Sequence, residues 1–366
     1  MGKRVVLAVT NDLTGDQRVH KVALSLLKSG HAPVLVGRRL PASKPLTRSY
    51  QCIRFNLIFR KGPLFYVNYN LRLFWFLLFV KADIFVSNDL DTLAAVFFAA
   101  RLRAKKIVYD SHEYFTEVPE LVHRPGVKRI WEMLEAFIFP KLDSVYTVNQ
   151  SISSIYEKKY GVHVQVIRNL PPAARPEPTP GFLPERFSGH PIIHYQGAVN
   201  MGRGLEQMVR AMEFLPEMRL LIAGDGDIRK QLEVLMQELR LTERIFFTGM
   251  VPFENLCWYT RQAAIGISIE QDIGLNYRYA LPNKLFDYMQ AGLPVLASDL
   301  PEIKQVVVEA AFGQVVSCFE PAFLAETILQ MTANPGQMQQ WKQNAIKAFP
   351  KYTWETQEPQ LIKMIL

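Results

Sequence analysis

The 366-residue chain has few cysteines, and none of them pairs at a spacing typical of metal or redox chemistry. Cys52, Cys257 and Cys318 are odd in number and far apart, which argues against a disulfide framework and predicts a reducing, cytoplasmic compartment. Neither a CxxC nor an HExxH spacing occurs, so we expect no bound metal ion.

Long apolar runs and a signal peptide are also missing. The apolar stretch Leu73–Val80 is far shorter than the roughly 20 residues that a membrane-spanning helix needs. The opening MGKRVVLAVTND enters a strand at once, so we expect no secretory signal. The first loop, TNDLTGD, carries Gly15 but no GxGxxG fingerprint, which excludes a nicotinamide-dependent dehydrogenase.

What is present is an ordinary globular composition, 49% hydrophobic and 21% charged, with a surplus of positive charge. The 42 Lys and Arg residues outnumber the 34 Asp and Glu residues by 8, which suits a polyanionic or membrane-surface partner. The length suggests two domains, and the proline-rich stretch 168–184 is the best boundary. We predict domains at 1–172 and 173–351, with a terminal helix at about 352–366 that packs back on the first.

Short apolar segments alternate with helical patterns in both halves of the chain. The predicted strands are Arg4–Val9, Ala32–Gly37, Asp83–Ser87, Ile107–Tyr109, Ser144–Val148, Val164–Ile167, Ile192–Gln196, Leu220–Ala223, Ile245–Phe247, Ile265–Ile269, Pro294–Ser298 and Val315–Val316. Strands separated by helices are typical of βαβ units, so we predict an α/β fold with a parallel sheet in each half.

The segment 54–81 is crowded with aromatic residues, and all of its charges are positive. One interpretation is an interfacial helix whose basic and aromatic residues anchor it to the inner-membrane surface. The other is a helix of the protein core. We favour the membrane for Ile58–Leu64 and the core for Leu73–Val80. The high aliphatic content argues against nucleic acid as a partner.

The stretch Ile265–Ser298 joins a strand, a polar loop with Gly274, a predicted helix at Asn283–Ala291 and a second strand. Pro282 suits the first position of that helix, and Gly292 suits its end. Ligands of open α/β sheets bind beyond the carboxyl ends of the strands, and a helix N-terminus attracts anions.

Lys284 adds a full positive charge to this helix N-terminus. Asp287 lies one turn further on, shares a face with Asn283, and can accept hydrogen bonds from sugar hydroxyls. The combination suits a nucleoside diphosphate with its ribose. The alternative is a plain surface helix with a Lys284–Asp287 ion pair.

Two further loops follow predicted strands of the second half. In the first, Gly197, Gly202 and Gly204 surround Arg203, an arrangement that can cradle a phosphate; the alternative is a flexible turn with a solvated arginine. In the second, Gly224-Asp225-Gly226-Asp227, the glycines let a ligand approach the backbone, although GDGD also suits an ordinary turn.

The first half offers fewer candidates. Asp89-Leu90-Asp91 spells a D-x-D metal signature, but we interpret Asp91 as the N-cap of a helix at Thr92–Arg103. The strand Ile107–Tyr109 ends in Asp110-Ser111-His112-Glu113. His112 is a candidate general base or a hydrogen-bond donor to a sugar hydroxyl; the alternative is a structural loop histidine.

Together these motifs resemble the retaining glycosyltransferases of family 4, which have the GT-B fold. The matching pieces are YQGAVNMGRGLEQMV, LLIAGDGDIRKQLE, FFTGMVP and LPNKLFDYMQAGLPVLAS. NDLTGDQRVHKVA and VYDSHEYF are similar to the acceptor domain of bacterial members. The resemblance covers nearly the whole chain and implies two Rossmann-like domains that face each other across a cleft.

The resemblance implies roles for particular residues. Arg203 takes the position of the basic residue that holds the donor diphosphate, and Gly224 and Gly226 line the nucleotide. Asp287 matches the second acid of the E-x7-E motif and binds ribose hydroxyls. His112 falls in the segment that supplies a sugar-contacting histidine, and Gly15 in a loop that meets the donor phosphates. The donor-binding set also includes Gly197, Gly202, Gly204, Gly274 and Asn283.

The sequence departs from the family pattern at two positions. Ala198 stands where the family has an arginine, and Lys284 is the candidate to replace it. Tyr279 stands eight residues before Asp287, where the first acid of the motif belongs, so Asp272 and Glu270 are the candidates for that acid.

The implied function is transfer of a hexose-type sugar from a nucleoside-diphosphate sugar to a saccharide or lipid-linked saccharide. The family implies retention, no metal and no cofactor, and a role in cell-surface polysaccharide or lipopolysaccharide synthesis on the cytoplasmic face of the membrane. Two alternatives remain: a GT-B nucleotide-sugar epimerase, and a non-catalytic nucleotide-binding membrane adaptor.

Overall fold

The computed structural model describes residues 2–41, 43–118, 121 and 124–366. They form two compact units. The first unit is Met1–Asn169 together with Gln357–Leu366, and the second is Leu170–Thr356.

The first unit is a parallel α/β sheet with helices between the strands. Its strands are β1 (Arg4–Asp12), β2 (Ala32–Arg39), β3 (Gln51–Asn56), β4 (Ile84–Asn88), β5 (Lys106–Ser111), β6 (Val145–Thr147) and β7 (Val164–Val166). Its described helices are α1 (Gln17–Lys28), α2 (Gly62–Phe79), α3 (Leu90–Leu102), α4 (Pro125–Ile138) and α5 (Gln150–Tyr160). The strand order is β3-β2-β1-β4-β5-β6-β7, and every pair is parallel.

The second unit repeats this architecture. Its strands are β8 (Ile192–Gln196), β9 (Arg219–Ala223), β10 (Ile245–Gly249), β11 (Ile265–Ser268), β12 (Val295–Ser298) and β13 (Gly313–Val316). Its helices are α6 (Leu205–Ala211), α7 (Arg229–Glu238), α8 (Phe253–Arg261), α9 (Leu275–Arg278), α10 (Lys284–Ala291), α11 (Pro301–Ala310), α12 (Pro321–Thr332) and α13 (Pro335–Ala348), and α14 (Trp354–Ile365) ends in the first unit. The strand order is β10-β9-β8-β11-β12-β13, all parallel.

Helices cover both faces of the second sheet, which explains why its strands are continuous apolar runs. Leu220 and Ile222 of β9 belong to a core cluster on one face that also includes Leu205 of α6 and Leu232 of α7. On the other face, Val295 of β12 packs in a cluster with α10, α11 and α13. The predicted α/β fold with two parallel sheets is confirmed.

Several boundaries differ from the sequence prediction. The helix expected at Asn283–Ala291 begins at Lys284 with Asn283 as its N-cap, so Pro282 precedes it, and Gly292 ends it as predicted with φ 65°. Strand β3 and helices α9 and α11 carry weaker patterns and were not predicted.

The prediction for Leu73–Val80 is half right. Leu73 and Leu77 are buried, as in a core helix, but Trp75 and Phe79 are 58% and 79% exposed. Among the described residues, no helix combines the length and apolar character needed to span a membrane.

Candidate functional site

The second unit has a topological switch point at β8. This strand lies between β9 and β11. The chain runs from β8 to β9 and β10 on one side and then crosses to β11 on the other side. Ligands of open α/β sheets bind at such a point, beyond the carboxyl ends of the strands. Three loops begin at these carboxyl ends: 197–204 after β8, 224–228 after β9 and 269–274 after β11. The predicted donor-site residues of the second unit lie on these loops and on the first turn of α10, whereas Gly15 belongs to the first unit.

The glycines allow these loops to pack closely on one another. A Cβ on Gly224 would lie 1.9 Å from the carbonyl oxygen of Gly197, and its φ is 151°. A Cβ on Gly204 would lie 2.3 Å from the carbonyl oxygen of Ile269, and its φ is 70°. The loop 197–204 is also held by the backbone amide of Gln271, which donates a hydrogen bond to the Gly202 carbonyl at 2.9 Å. A larger residue at Gly204 or Gly224 would force the loops apart.

Arg203, Lys284 and Glu270 form a charged cluster at the switch point. The Lys284 Nζ donates to Glu270 Oε1 at 2.7 Å, and the Arg203 Nη1 lies 3.7 Å from the same oxygen. Glu270 is fully buried and also accepts a hydrogen bond from Ser268 Oγ at 2.7 Å. The Arg203 side chain remains 26% exposed. Two cations share one carboxylate, so one positive charge is left for an anionic ligand.

Burial sets the electrostatics of this cluster. It lowers the pKa of Lys284 to about 8, with Glu270 opposing the shift and Arg203 adding to it. Burial also works against the charge of Glu270, but Lys284 and Arg203 outweigh it and lower the pKa of its carboxyl. Glu270 is therefore ionised at neutral pH.

Lys284 reaches the loop in which the family arginine is replaced by Ala198. Its Nζ lies 4.0 Å from the ring centroid of Tyr195, and its Cε would lie 3.9 Å from a Cβ on Gly197. The Tyr195 hydroxyl donates to the Ala198 carbonyl at 2.6 Å. Lys284 thus brings a positive charge beside residues 197 and 198.

The two candidates for the displaced acid occupy different surroundings. Glu270 belongs to the buried charged cluster, whereas Asp272 forms an ion pair at 2.8 Å with Arg278 and is 43% exposed. Gly274, the N-cap of α9, has open space around its Cβ position. The structure therefore brings Glu270 together with Arg203 and Lys284, and leaves Asp272 on the surface.

Asp287 lies one turn into α10, and both of its carboxylate oxygens have partners. Arg175 Nη2 contacts Oδ1, and Gln196 Nε2 donates to Oδ2 at 2.6 Å. The sequence pattern pointed to neither partner. Arg175 lies in a proline-rich segment without periodicity, and nothing in the sequence distinguishes Gln196 from the other residues of its predicted strand.

The first unit carries a second charged network, around His112. His112 Nε2 lies 2.9 Å from Asp110 Oδ2, and Nδ1 lies 3.2 Å from Asp89 Oδ2. Asp110 also accepts two hydrogen bonds from Arg18, at 3.1 and 2.7 Å. Arg18 is buried on the apolar face of α1. A charged residue among the apolar positions of a helix is the sequence signal that could have identified Arg18 as part of this network.

This arrangement keeps His112 positively charged. Burial alone would lower its pKa, but Asp110 and Asp89 outweigh burial and raise the pKa well above its usual value. Burial would raise the pKa of Asp110, but Arg18 and His112 bring it to about 2. A general base needs a free lone pair, which a ring protonated on both nitrogens does not have.

The prediction that Asp91 caps α3 is wrong. The helix begins at Leu90, and Asp89 is its N-cap, with φ 62°, a conformation that L-residues rarely adopt. The carboxylate of Asp91 instead accepts a hydrogen bond from Thr10, and burial together with Asp89 raises its pKa to about 7. In the part of the chain that the structure describes, no three His, Cys, Asp or Glu side chains are grouped to hold a metal ion.

Gly15 lies in the loop between β1 and α1. Apart from its two neighbours in the chain, no atom of the described residues lies within 4 Å of a Cβ built at this position, and its φ is outside the left-handed region. The fold of the first unit therefore does not require a glycine there.

Both halves of the chain match glycosyltransferase families. Residues 16–173 match the family described as Glycosyltransferase Family 4, and residues 184–348 match Glycosyl transferases group 1. An uncharacterized glycosyltransferase of Methanocaldococcus jannaschii is 25% identical over 170 residues, 45% of this chain and 42% of that protein. The lipopolysaccharide core biosynthesis glycosyltransferase LpsD of Rhizobium meliloti is 28% identical over 142 residues, 37% of this chain and 39% of that protein.

The matched stretches thus span less than half the length of these two curated relatives. Among solved structures, Anabaena HepE in complex with UDP-glucose is similar with a TM-score of 0.76 and 15% identity, over 99% of this chain and 98% of that one, which shows a shared fold. On these matches and its two parallel α/β units, the chain belongs to the family 4 glycosyltransferases with the GT-B fold.

Proposed function

We propose that this protein transfers a hexose-type sugar from a nucleoside-diphosphate sugar to a saccharide or lipid-linked saccharide, with retention and without a metal ion. The observation that carries the proposal is the cluster of Arg203 and Lys284 around Glu270 at the switch point of the second sheet. Similar proteins support it, since LpsD is a glycosyltransferase of lipopolysaccharide core biosynthesis and the structure of HepE contains UDP-glucose.

In the proposed reaction, Arg203 and Lys284 stabilise the diphosphate as it leaves the sugar. Charge develops on the leaving group in the transition state, so fixed cations at that position lower the barrier. Two cations held by the protein can perform the task that a divalent ion performs elsewhere. The acceptor hydroxyl attacks from the face that the diphosphate leaves, and a donor phosphate oxygen takes its proton; this retaining course comes from the family.

Removal of the two cations tests the proposal. Arg203→Ala and Lys284→Ala should each lower sugar transfer by about a hundredfold or more, because each removes a charge from the leaving group. The assay follows labelled sugar from UDP-, GDP- and ADP-sugars into a lipid extract, with and without EDTA. Arg210→Ala and Lys342→Ala, exposed cations of the same unit, serve as matched controls. Unchanged transfer by the Arg203 and Lys284 variants, or loss with EDTA, contradicts the proposal.

The same assay separates the alternatives. A nucleotide-sugar epimerase converts its donor without an acceptor, so a new sugar product from donor alone would favour it. An adaptor would bind nucleotide tightly and form no product with any lipid-linked acceptor.

We further propose that the protein works at the cytoplasmic face of a membrane, through exposed apolar residues of α2, α3 and α4. Helix α2 buries Phe65, Tyr69, Leu73 and Leu77 on one face and exposes a second apolar stripe on the other. The apolar surface consists of Leu64, Val67, Leu71, Trp75 and Phe79 of α2, Phe98 and Leu102 of α3, and Ile130, Met133 and Phe137 of α4, each at least 46% exposed.

Contacts between the three helices support the view that this surface is continuous. The Asn70 side chain of α2 donates to the Asp91 carbonyl of α3 at 2.8 Å, and the rings of Phe97 and Phe137 join α3 to α4 at 6.4 Å. Exposed apolar patches of this extent mark interaction surfaces.

Charge favours an anionic lipid surface as the occupant. The exposed charges on and beside these helices are mostly positive. Seven cations, Arg60, Lys61, Arg72, Lys81, Arg101, Arg129 and Lys141, outnumber the exposed acidic side chains Asp83, Glu132 and Asp143. Two copies of this surface would repel each other, whereas anionic headgroups would attract it by about 1 kcal/mol per cation.

Vesicle sedimentation tests the membrane proposal. The protein should bind vesicles of phosphatidylglycerol and phosphatidylethanolamine more tightly than vesicles of phosphatidylcholine alone. Trp75→Ser with Phe79→Ser should weaken this binding at least tenfold, since both side chains bury apolar area in the lipid. Val234→Ser with Ile346→Ser, 53% and 61% exposed in the second unit, should leave it unchanged. Equal binding by both variants, or a stable dimer formed through this surface, contradicts the proposal.

A further inference from the structure

The carboxylate of Asp287, predicted to bind the donor ribose, is held by two side chains of its own unit. Arg175 Nη2 contacts Oδ1, and Gln196 Nε2 donates to Oδ2 at 2.6 Å. The side chains of Arg175 and Asp287 are only 7% and 11% exposed. The orientation of this carboxylate therefore depends on residues outside the E-x7-E motif.

The two partners are anchored in different ways. Gln196 ends β8, and its side-chain Oε1 accepts a hydrogen bond from Thr260 Oγ1 at 2.8 Å, so the sheet and α8 fix the Gln196 side chain. Arg175 comes from a segment without helix or strand, and its guanidinium packs over the Phe253 ring at 4.5 Å. Gln196 is a rigid partner, whereas Arg175 is brought to Asp287 by the proline-rich stretch 168–184.

The segment that carries Arg175 is attached to α10 and α14 just before this residue. The Gln290 side chain donates to the Pro172 carbonyl at 3.2 Å, and the Ala173 amide donates to Glu355 Oε2 at 2.9 Å. These bonds hold the backbone at residues 172 and 173, so the arginine approaches Asp287 from a defined direction.

Arg175 also has an unused hydrogen-bond donor. Its Nε is buried and has no partner among the described residues. A buried N–H without an acceptor is unfavourable, and native structures rarely keep one without a reason. The carbonyl and hydroxyl oxygens of a nucleoside are acceptors of the kind that this N–H lacks.

We propose that Arg175 is a positioning residue of the donor site. It orients the Asp287 carboxylate for the ribose hydroxyls, and an oxygen of the bound nucleoside completes the hydrogen bonding of its Nε. This inference rests on the proposed function, because it assigns the nucleoside part of the donor to Asp287 and its surroundings.

Calorimetric titration with UDP, GDP and ADP tests the inference. Arg175→Gln should raise the Kd of the nucleotide that binds the wild type best at least tenfold. Arg175→Lys should recover little of the loss, because an ammonium has neither the paired donors nor the Nε–H of arginine. Arg261→Gln is the matched control, since it removes an exposed ion pair, at 2.9 Å, with Glu177 of the same segment.

Coupling to Asp287 separates positioning from a general loss of structure. If Arg175 acts through this carboxylate, Arg175→Gln should weaken nucleotide binding much less when Asp287→Asn is already present. A Kd for Arg175→Gln within twofold of the wild type, or an equal loss in Arg261→Gln, overturns the inference and leaves the proposed function intact. A wild type that binds none of the three nucleotides overturns both.

Discussion

Lys284 is the residue of the charged cluster whose protonation changes near physiological pH. Because burial lowers its pKa to about 8, the free protein loses this charge as the pH rises through that value. If the charged form binds the diphosphate, the affinity should fall about tenfold per pH unit above about 8. Lys284→Arg should remove this dependence, since arginine stays charged. Titration calorimetry between pH 6.5 and 9.5 measures it, and a flat wild-type profile would contradict the assignment.

The lowered pKa of Lys284 has opposite effects on nucleotide affinity and on the stability of the free protein as the pH rises. A lysine whose pKa is lower in the folded state binds fewer protons there than in the unfolded chain. The unfolding free energy of the nucleotide-free protein should therefore rise between about pH 8 and the ordinary lysine pKa of 10.5, while nucleotide affinity falls. Opposite trends distinguish loss of the Lys284 charge from general alkaline unfolding.

His112 should be protonated on both ring nitrogens at pH 7.5. Its pKa is raised by Asp110 and Asp89 against the effect of burial, so its contribution to stability is complete below its ordinary pKa of 6.5 and is lost only as the pH rises through the raised folded value. Nitrogen NMR of labelled protein, with His112→Gln to assign the signal, measures the protonation state. A neutral tautomer at this pH would restore the general-base interpretation.

Gly224 and Gly15 should respond differently to alanine. Gly224→Ala places a Cβ 1.9 Å from the Gly197 carbonyl oxygen in a backbone conformation that strains alanine, so it should lower the unfolding free energy by about 2 kcal/mol or more. Gly15→Ala meets open space and should leave stability unchanged or slightly raised. Urea unfolding measures both. Reduced activity in a stable Gly15→Ala variant would support its predicted contact with the donor.

At the level of residues, the sequence can predict which side chains are brought together where their position follows from the strand order. Arg203 and its neighbouring glycines lie in a loop that directly follows a predicted strand, and Lys284 begins the helix that connects the next two predicted strands, so the topology brings them to one edge of the sheet. Arg175 and Arg18 could not be found in this way, because their roles depend on partners distant in sequence. The choice between Glu270 and Asp272 likewise depends on which side chain points into the unit, a property that loop geometry decides.

The hydrophobic pattern of α2 predicts a helix but does not show which of its faces is buried. Its periodicity is weak because both faces are apolar, so the sequence could not separate the core from the exposed stripe. The structure separates them, with Leu73 fully buried and Leu71 56% exposed two residues away. Boundaries were least predictable where capping residues compete, as at Asp89 and Asp91 before α3.

Alanine at these two leucines should separate stability from membrane binding. Leu73→Ala removes a buried side chain and should lower the unfolding free energy by about 2 to 5 kcal/mol. Leu71→Ala should leave stability within about 0.5 kcal/mol and weaken vesicle binding. Urea unfolding and vesicle sedimentation of the two variants provide the comparison. Equal effects of both substitutions on stability would contradict the assignment of the two faces.

At the level of the whole molecule, the chain is two similar parallel α/β units, and this much could be predicted from sequence. Apolar strands that alternate with helices are a local signal, repeated often enough that errors at single boundaries do not change the fold class. The position of β8 between β9 and β11 is not a local property, since it depends on pairing between distant strands. The sugar, the base and the acceptor depend on side-chain surfaces that no pattern in the chain specifies.

The central claim is that Arg203 and Lys284 of the second unit bind the donor diphosphate. A crystal structure of the protein with the nucleoside diphosphate that binds it best tests this most directly. The account predicts phosphate oxygens within hydrogen-bond distance of both side chains, at the carboxyl ends of β8 and β11. A diphosphate bound elsewhere, with Arg203 and Lys284 still facing only Glu270, would contradict it.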